Sequence, residues 1–378
     1  MKKKKFNWAG LLIFGGSLAV GIGLGVMLGE MMVLDGLSLP QMLGMLCLYM
    51  AVMVLALWLN TAIHEAGHLV FGLLTGYGFC SFRLGSLMIL KENGKLRLCK
   101  YKLAGTGGQC LMTPPELVDG KMPFALYNLG GCMFNFAVTL VCGILWLLMP
   151  DSGLLSVFFL SMAVMGLILG ASNGIPVRMG LVQNDGMNTL ALYRRPEAIR
   201  AMRAQLLINQ GLSAGLRGKD MPAEWFWMPT AEERKDPVSA SAGVMYCNRL
   251  MDEHRFDEAR EAMELMMAPD TEILPLHRRA LTCDLIYCEL IGQRRWDVVE
   301  GMLNKEQKSF MQAMATNITV LRTQYLLALY HENDSVKARA FLARFEKQAA
   351  AYPYSGDAEA ERELIAIADE RRALTDGI

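Results

Sequence analysis

What the sequence is short of narrows its class before any motif is read. It has no net charge, 37 Lys and Arg standing against 37 Asp and Glu, so nothing in its overall charge draws it to nucleic acid. Its nine cysteines, at 47, 80, 99, 110, 132, 142, 247, 283 and 288, are odd in number and include no C-x-x-C pair. Neither a disulfide framework nor a thiolate zinc site is suggested. Charge is scarcest in residues 1–175, which hold 11 Lys or Arg and 7 Asp or Glu, whereas residues 176–378 hold 26 and 30. The first half reads as membrane and the second as water-soluble, with the change of composition near residues 175–190.

Four apolar stretches, at 8–34, 41–75, 123–149 and 154–175, are long enough for a hydrocarbon core of ~30 Å, which takes about 20 helical residues. The first follows Met1-Lys2-Lys3-Lys4-Lys5 but is much longer than a signal-peptide core and is closed by no A-x-A site, so it reads as a retained helix. Those lysines and the basic 76–121 loop (Arg83, Lys91, Lys95, Arg97, Lys100, Lys102, Lys121) contrast with connections 34–40 and 150–153, which lack Lys and Arg. The positive-inside rule then puts both termini in the cytosol. Within the basic loop, runs 86–90 and 96–101 flank Asn93-Gly94, a hairpin signal. The second run alternates apolar with basic residues, so one face is expected on protein or lipid and the other in water.

The second stretch contains His64-Glu65-Ala66-Gly67-His68, an H-E-x-x-H. The i, i+4 spacing puts both imidazoles on one helical face, able to reach a single Zn²⁺, with Glu65 placed to take a proton from water. Two packing histidines are the alternative. Chance supplies such a motif with an expected count on the order of 0.004, and each ionisable residue at mid-helix costs roughly 2.5–3.5 kcal/mol on insertion scales. A tetrahedral catalytic site needs a third protein ligand. His254, His277 and His331 all lie in the water-soluble half, so a carboxylate is expected, and Asp185 shares the cytoplasmic side with the two histidines amid Gly and Pro residues that admit irregular backbone. Glu92, Glu116 and Asp119 are the other acids to consider.

In these motifs the chain resembles the site-2 proteases, intramembrane zinc metalloproteases with H-E-x-x-H on one core helix and N-x-x-P followed by D-G on another. His64, Glu65 and His68 match the first; Asn173, Pro176, Asp185 and Gly186 match the second. Between them, Gly130 and Asn135 match a G-P-x-x-N motif, with Gly131 in the place of its proline. The resemblance covers roughly residues 41–190. It departs in the Pro176 to Asp185 interval, nine residues where about five are usual, and in Met187 following Asp185-Gly186. The resemblance implies one Zn²⁺ per chain on His64, His68 and Asp185, with Glu65 as general base. It also implies cleavage of a peptide bond in or near a transmembrane segment of a membrane protein or precursor peptide. Asn135 and Asn173 would hold the substrate backbone; the alternative for each is an interhelical hydrogen bond.

Past a linker at 191–240 with the aromatic segment Trp225-Phe226-Trp227, the chain repeats itself at an offset of 40: Met245, Leu285 and Tyr325 correspond, as do Leu250, Leu290 and Tyr330. Residues 241–378 are therefore expected to form a cytosolic tetratricopeptide-like array of helical hairpins able to bind a peptide or protein partner. The expected fold is mainly α: a polytopic bundle of about four transmembrane helices in 1–190 with a small cytoplasmic β-hairpin, followed by helical repeats. The expected place is the plasma membrane of a bacterium. The rival reading is a catalytically silent membrane scaffold acting through its repeats. A metal transporter fits poorly, because the other apolar stretches offer few ionisable residues.

Overall fold

The computed structural model describes residues 37–376 except 93, 102–105, 150–152 and 180–181, and of residues 1–36 only 15, 16, 21, 25, 26 and 29. Most of the expected first span, 8–34, lies outside the described residues. The chain forms two compact units, one of Met1–Gly78, Gly107–Cys110 and Met122–Arg194, the other of Phe79–Thr106, Leu111–Lys121 and Arg195–Ile378.

Among the described residues, three helices are long and apolar enough to cross a membrane: α1 (Leu39–Leu74), α2 (Ala125–Leu147) and α3 (Leu154–Gly174). At 36 residues, α1 exceeds the span requirement. It starts where Gln41 Oε1 accepts from the Ser38 backbone N–H at 2.9 Å. It ends at Gly76, whose φ of 87° lets the Tyr77 N–H reach the Gly72 carbonyl at 3.0 Å, a closure that suits glycine because it has no Cβ. After α3, the two-residue strands β5 (Arg178–Met179) and β6 (Val182–Gln183) pair antiparallel and lead into α4 (Asp185–Arg194).

The expected hairpin forms one side of a four-stranded sheet. Its strands β1 (Gly78–Leu84), β2 (Leu87–Glu92), β3 (Lys95–Lys100) and β4 (Gly108–Thr113) lie in the order β3-β2-β1-β4. Residues 93 and 94 join β2 to β3, and Gly94 has the positive φ, 80°, that a tight hairpin asks for. The faces are assigned by β2. Met88 and Leu90 are buried in a cluster with Tyr354, and the register Met88↔Cys99 and Leu90↔Arg97 carries Cys99 and Arg97 to the same side. Arg97 there donates to the Pro353 carbonyl at 2.7 Å and pairs with Glu92. Leu96 and Leu98 consequently point outward, 68% and 70% exposed. A one-residue change of register would reverse this, which is why the partner strand decides the matter and the composition of β3 does not.

The second unit is otherwise helical. After α5 (Ala198–Ser213), Phe226 packs on Ile208 and Met221, and Trp227 takes the Arg200 guanidinium at 4.1 Å from its ring centroid. Then follow α6 (Pro237–Asp252), α7 (Phe256–Met266), α8 (Pro275–Ile291), α9 (Trp296–Met302), α10 (Lys305–Ala313), α11 (Ile318–Leu326), α12 (Ser335–Ala350) and α13 (Ser355–Asp376). Side chains of Asp236, Asn304, Asn317 and Asp334 cap α6, α10, α11 and α12. His254, Arg294 and Asn333, which follow α6, α8 and the turn extending α11, have φ of 57°, 56° and 52°. One continuous apolar core runs through these helices, including Leu250, Leu290 and Leu326.

Charge is buried in this unit too. Arg322, 1% exposed, donates to Asp284 at 2.5 Å and to Glu361 at 2.8 Å. Asp357, in the first turn of α13, has no such partner among the described residues; burial, Glu361 and Asp252 push its carboxyl up to about 7. Because the folded state then holds a proton that the unfolded chain gives up near pH 4, stability drains away as pH rises from about 4 through about 7 and is level above. Asp357→Asn is expected to raise the melting temperature at pH 8 and to flatten its fall between pH 5 and pH 7, by on the order of 3 kcal/mol. An unchanged pH profile of thermal unfolding would refute this.

Candidate metal centre

The site is built where α1 and α2 cross. A Cβ on Gly67 would stand 2.3 Å from the Gly130 carbonyl oxygen, and one on Gly130 would stand 2.5 Å from the Gly67 oxygen. The two backbones can approach this closely only because both residues are glycine. Gly131 then lies directly against His64: a Cβ there would be 2.6 Å from the imidazole Cε1. The residue standing in place of the motif's proline thus leaves the space that the first histidine occupies.

Each imidazole is held by its Nδ1. His64 Nδ1 lies 2.7 Å from Asn135 Oδ1, and His68 Nδ1 lies 2.7 Å from the Tyr127 carbonyl oxygen. The Asn135 amide is oriented by its Nδ2, which donates to the Asn60 carbonyl at 3.0 Å, so its oxygen faces His64. Both partners are acceptors, which puts the ring proton on Nδ1 and leaves each Nε2 with a lone pair. Asn60 is itself anchored, its Nδ2 donating to the Ala56 carbonyl at 3.0 Å and to the Met162 carbonyl of α3 at 3.1 Å. Tyr127 is fixed by a hydrogen bond from its hydroxyl to the Cys110 carbonyl and by stacking on Tyr77 at 4.7 Å.

Asp185 brings the third donor. Its Oδ2 is 3.1 Å from His64 Nε2 and 3.5 Å from His68 Nε2, and the two Nε2 atoms are 3.2 Å apart. For bonds of about 2.0–2.1 Å, the ligand atoms of a tetrahedral ion sit about 3.3 Å apart. Three donors at that separation repel one another until a cation joins them, so the arrangement can take one small divalent ion.

The long interval before Asp185 has a physical account. Its extra residues form the β5–β6 pair, which turns the chain back toward the bundle. Asn184 pins the return, accepting from Val177 and Met187 N–H and donating to the Ser172 and Ile175 carbonyls. Gly186 completes it, since a Cβ there would be 2.1 Å from the Gly174 oxygen. The D-G pair therefore couples a ligand to the close contact that seats it.

Among the described residues, His64, His68 and Asp185 form the one group of His, Cys, Asp or Glu side chains close enough to share an ion. Glu92 and Glu116 are paired with Arg97 and Arg203, and Asp119 joins no such group. Asn173 donates to Leu169 of its own helix at 3.0 Å. Glu65 is buried, and Gly108, the first residue of β4, lies so close that a Cβ on it would be 2.5 Å from Glu65 Oε1. Sequence reasoning passed over Asn60, Asn184 and Gly108. Asn60 stands one turn before His64 on an apolar helix, the available clue; Gly108 offered none. Cys132 is also close, its Sγ 3.9 Å from Asp185 Oδ2.

No known protein family, curated protein or solved structure matches the chain. The glycine crossing is directly testable. Gly67→Ala is expected to lower the unfolding temperature of the detergent-solubilised protein by several degrees, the consequence of overpacking worth about 1–3 kcal/mol. Gly143→Ala, on α2 and with nothing within 4 Å of its Cβ, is expected to be neutral or slightly stabilising. Equal unfolding temperatures for the two variants would count against a tight crossing.

Proposed function

We propose that this protein is an intramembrane zinc metalloendopeptidase of the site-2 protease kind, cleaving a peptide bond in or near a transmembrane segment of a membrane protein or precursor peptide. The observation that carries the reading is the convergence of His64 Nε2, His68 Nε2 and Asp185 Oδ2 at 3.1–3.5 Å from one another, next to the buried Glu65, with both histidines and the glutamate on a helix apolar enough to span a bilayer. Zinc held by these three residues supplies Lewis acidity at the scissile carbonyl and brings the pKa of water toward about 7. Glu65 accepts a proton from the attacking water as its oxygen bonds to the carbonyl carbon. It returns that proton to the amide nitrogen as the C–N bond breaks. Asn135 acts by orienting His64, its amide being engaged by His64 and Asn60.

The substrate segment must be extended, because a helical amide is hydrogen-bonded and screened. The sheet's outer strands are β3 and β4, edges to which an extended segment can add. Residues 237–376 serve as a helical-repeat module that captures a partner or substrate. The left-handed residues His254, Arg294 and Asn333, spaced 40 and 39 apart at the hairpin turns, support that reading. The protein is placed in a bacterial plasma membrane as a multi-pass chain with both termini cytoplasmic, on the distribution of Lys and Arg.

Purified protein is expected to bind one zinc ion. Glu65→Gln should abolish cleavage of a transmembrane substrate peptide while keeping the metal; His64→Ala and Asp185→Ala should lose both. Asn135→Ala should weaken zinc about 10- to 100-fold, the usual cost of removing a ligand's hydrogen-bonded support. Metal analysis beside a proteolysis assay decides the matter: cleavage surviving Glu65→Gln rules out the mechanism, and zinc content unaltered by His64→Ala or Asp185→Ala favours the silent scaffold.

A further inference from the structure

The helices of the second unit pair off, α6 with α7, α8 with α9 and α10, and α11 with α12. The leading helix of each group packs on the next, α6 on α8 and α8 on α11, so the three stand side by side as one wall. In a stack of hairpins each one touches only its neighbours, and a helix added after α12 belongs on α11 and α12 alone. The helix α13 does otherwise. It packs on α11 and α12 but also on α8 and α5, having turned back along the wall.

Its polar contacts run from one hairpin to the next. On α11, Glu361 accepts from Arg322 at 2.8 Å and from the Thr319 hydroxyl, and Asp369 accepts from the Tyr325 hydroxyl at 2.7 Å. Tyr330, in the turn extending α11, donates to the Ala368 carbonyl. On α8, the Tyr287 hydroxyl donates to the Leu364 carbonyl at 2.8 Å, and the Ile291 carbonyl accepts from Arg371 at 3.2 Å. Ahead of α6, Arg217 is shared between Asp252 of that helix and Glu363.

The wall thus aims tyrosine hydroxyls and a guanidinium at a helix laid across it. The apolar part of the contact is narrow. Of the 22 residues of α13, those buried in the common core are Ala358, Leu364, Ile365 and Ala368, two of them alanines. A cavity of about 250 Å³ remains where α13 faces Ile208 of α5, Met245 of α6 and Ala280 of α8. Polar contacts add little net stability, because water replaces them when they part. A helix held largely by them, over a wall it does not fill, is an occupant that another helix of the same pattern can replace.

We propose that the wall of α6, α8 and α11 is a binding groove for an acidic amphipathic helix of a partner protein, and that α13 occupies it in the free protein and is displaced when the partner binds. The partner carries the pattern of α13. Two adjacent aliphatic residues stand as Leu364 and Ile365 do, with a carboxylate three positions before the first, as at Glu361, and another four positions after the second, as at Asp369. The proposal rests on the reading of residues 237–376 as a capture module and is independent of the metal centre.

The probe is a fluorescein-labelled peptide of residues 355–376, titrated by fluorescence polarisation into the full-length protein in detergent. Its apparent affinity is lowered by the fraction of molecules whose groove is closed by α13, so weakening α13 within the protein, with the groove left intact, raises it. Leu364→Ala combined with Ile365→Ala is expected to tighten peptide binding at least about tenfold. Glu361→Gln combined with Asp369→Asn, which keeps the apolar face of α13, should tighten it to a smaller extent. A single cooperative thermal transition verifies that each protein is folded. Adding Tyr325→Phe and Tyr330→Phe, which alter the groove, should take back part of the gain. Equal affinity in the parent and in both folded α13 variants, or no binding to any of them, overturns the proposal. Tightened binding that ignores the two tyrosine replacements places the capture surface elsewhere, which overturns the groove and leaves the capture module standing. A parent protein that runs as a dimer and is split by the peptide makes the occupant a second copy of the chain and overturns the assignment to a partner.

Discussion

The contact between Gly67 and Gly130 is the constraint on which the candidate metal centre depends. Neither glycine touches a reacting atom. Yet their backbones meet at a distance that no Cβ permits, and only this brings the Tyr127 carbonyl within reach of His68 and the Asn135 amide within reach of His64. Two donors borrowed from one helix are thus aimed by two acceptors on another. Loosening the crossing by the width of a methyl group would withdraw both acceptors together, leaving the imidazoles free to rotate away from Asp185.

The same economy governs polar groups within the apolar helices. Asn60 and Asn135, each fully buried, are expensive to place in a membrane span, and each has its amide hydrogens committed to carbonyls or to the neighbouring amide. Together with His64 they form a chain of hydrogen bonds from α3 through α1 to α2. Polarity in these spans is concentrated into a connected network that holds three helices in register, and the remaining helix surface stays apolar.

How legible this was from the sequence differs from part to part. H-E-x-x-H carries its geometry in its spacing, because the helical repeat fixes where i and i+4 point, and Asp185 was reachable because few acids lie near the spans. The three described spans announced themselves by length and hydropathy. Long-range pairing was not legible. Leu96 and Leu98 are outward because Met88 and Leu90 are inward, a relation that exists only once the strands are in register. Gly108, Gly131 and Gly186 look like any loop or helix glycine until the atoms opposite them are known. For Asn135 the sequence leaves open a substrate contact or an interhelical hydrogen bond, and its amide faces His64 and Asn60 of the neighbouring helix; spacing can say that a polar group lies nearby but cannot say which atom it meets.

One consequence follows from how the donors are spread along the chain. His64 and His68 belong to the first of the three long apolar helices, but Asp185 comes 121 positions after His64, beyond two further helices apolar enough to span a membrane, and is seated by Gly186 against the last turn of α3. During synthesis the two histidines are made long before their third partner. The donor set is complete only when α2, α3 and the start of α4 have all been delivered and packed. The order of translation therefore keeps a half-built chain from presenting a finished three-donor site, whatever ions the surroundings contain.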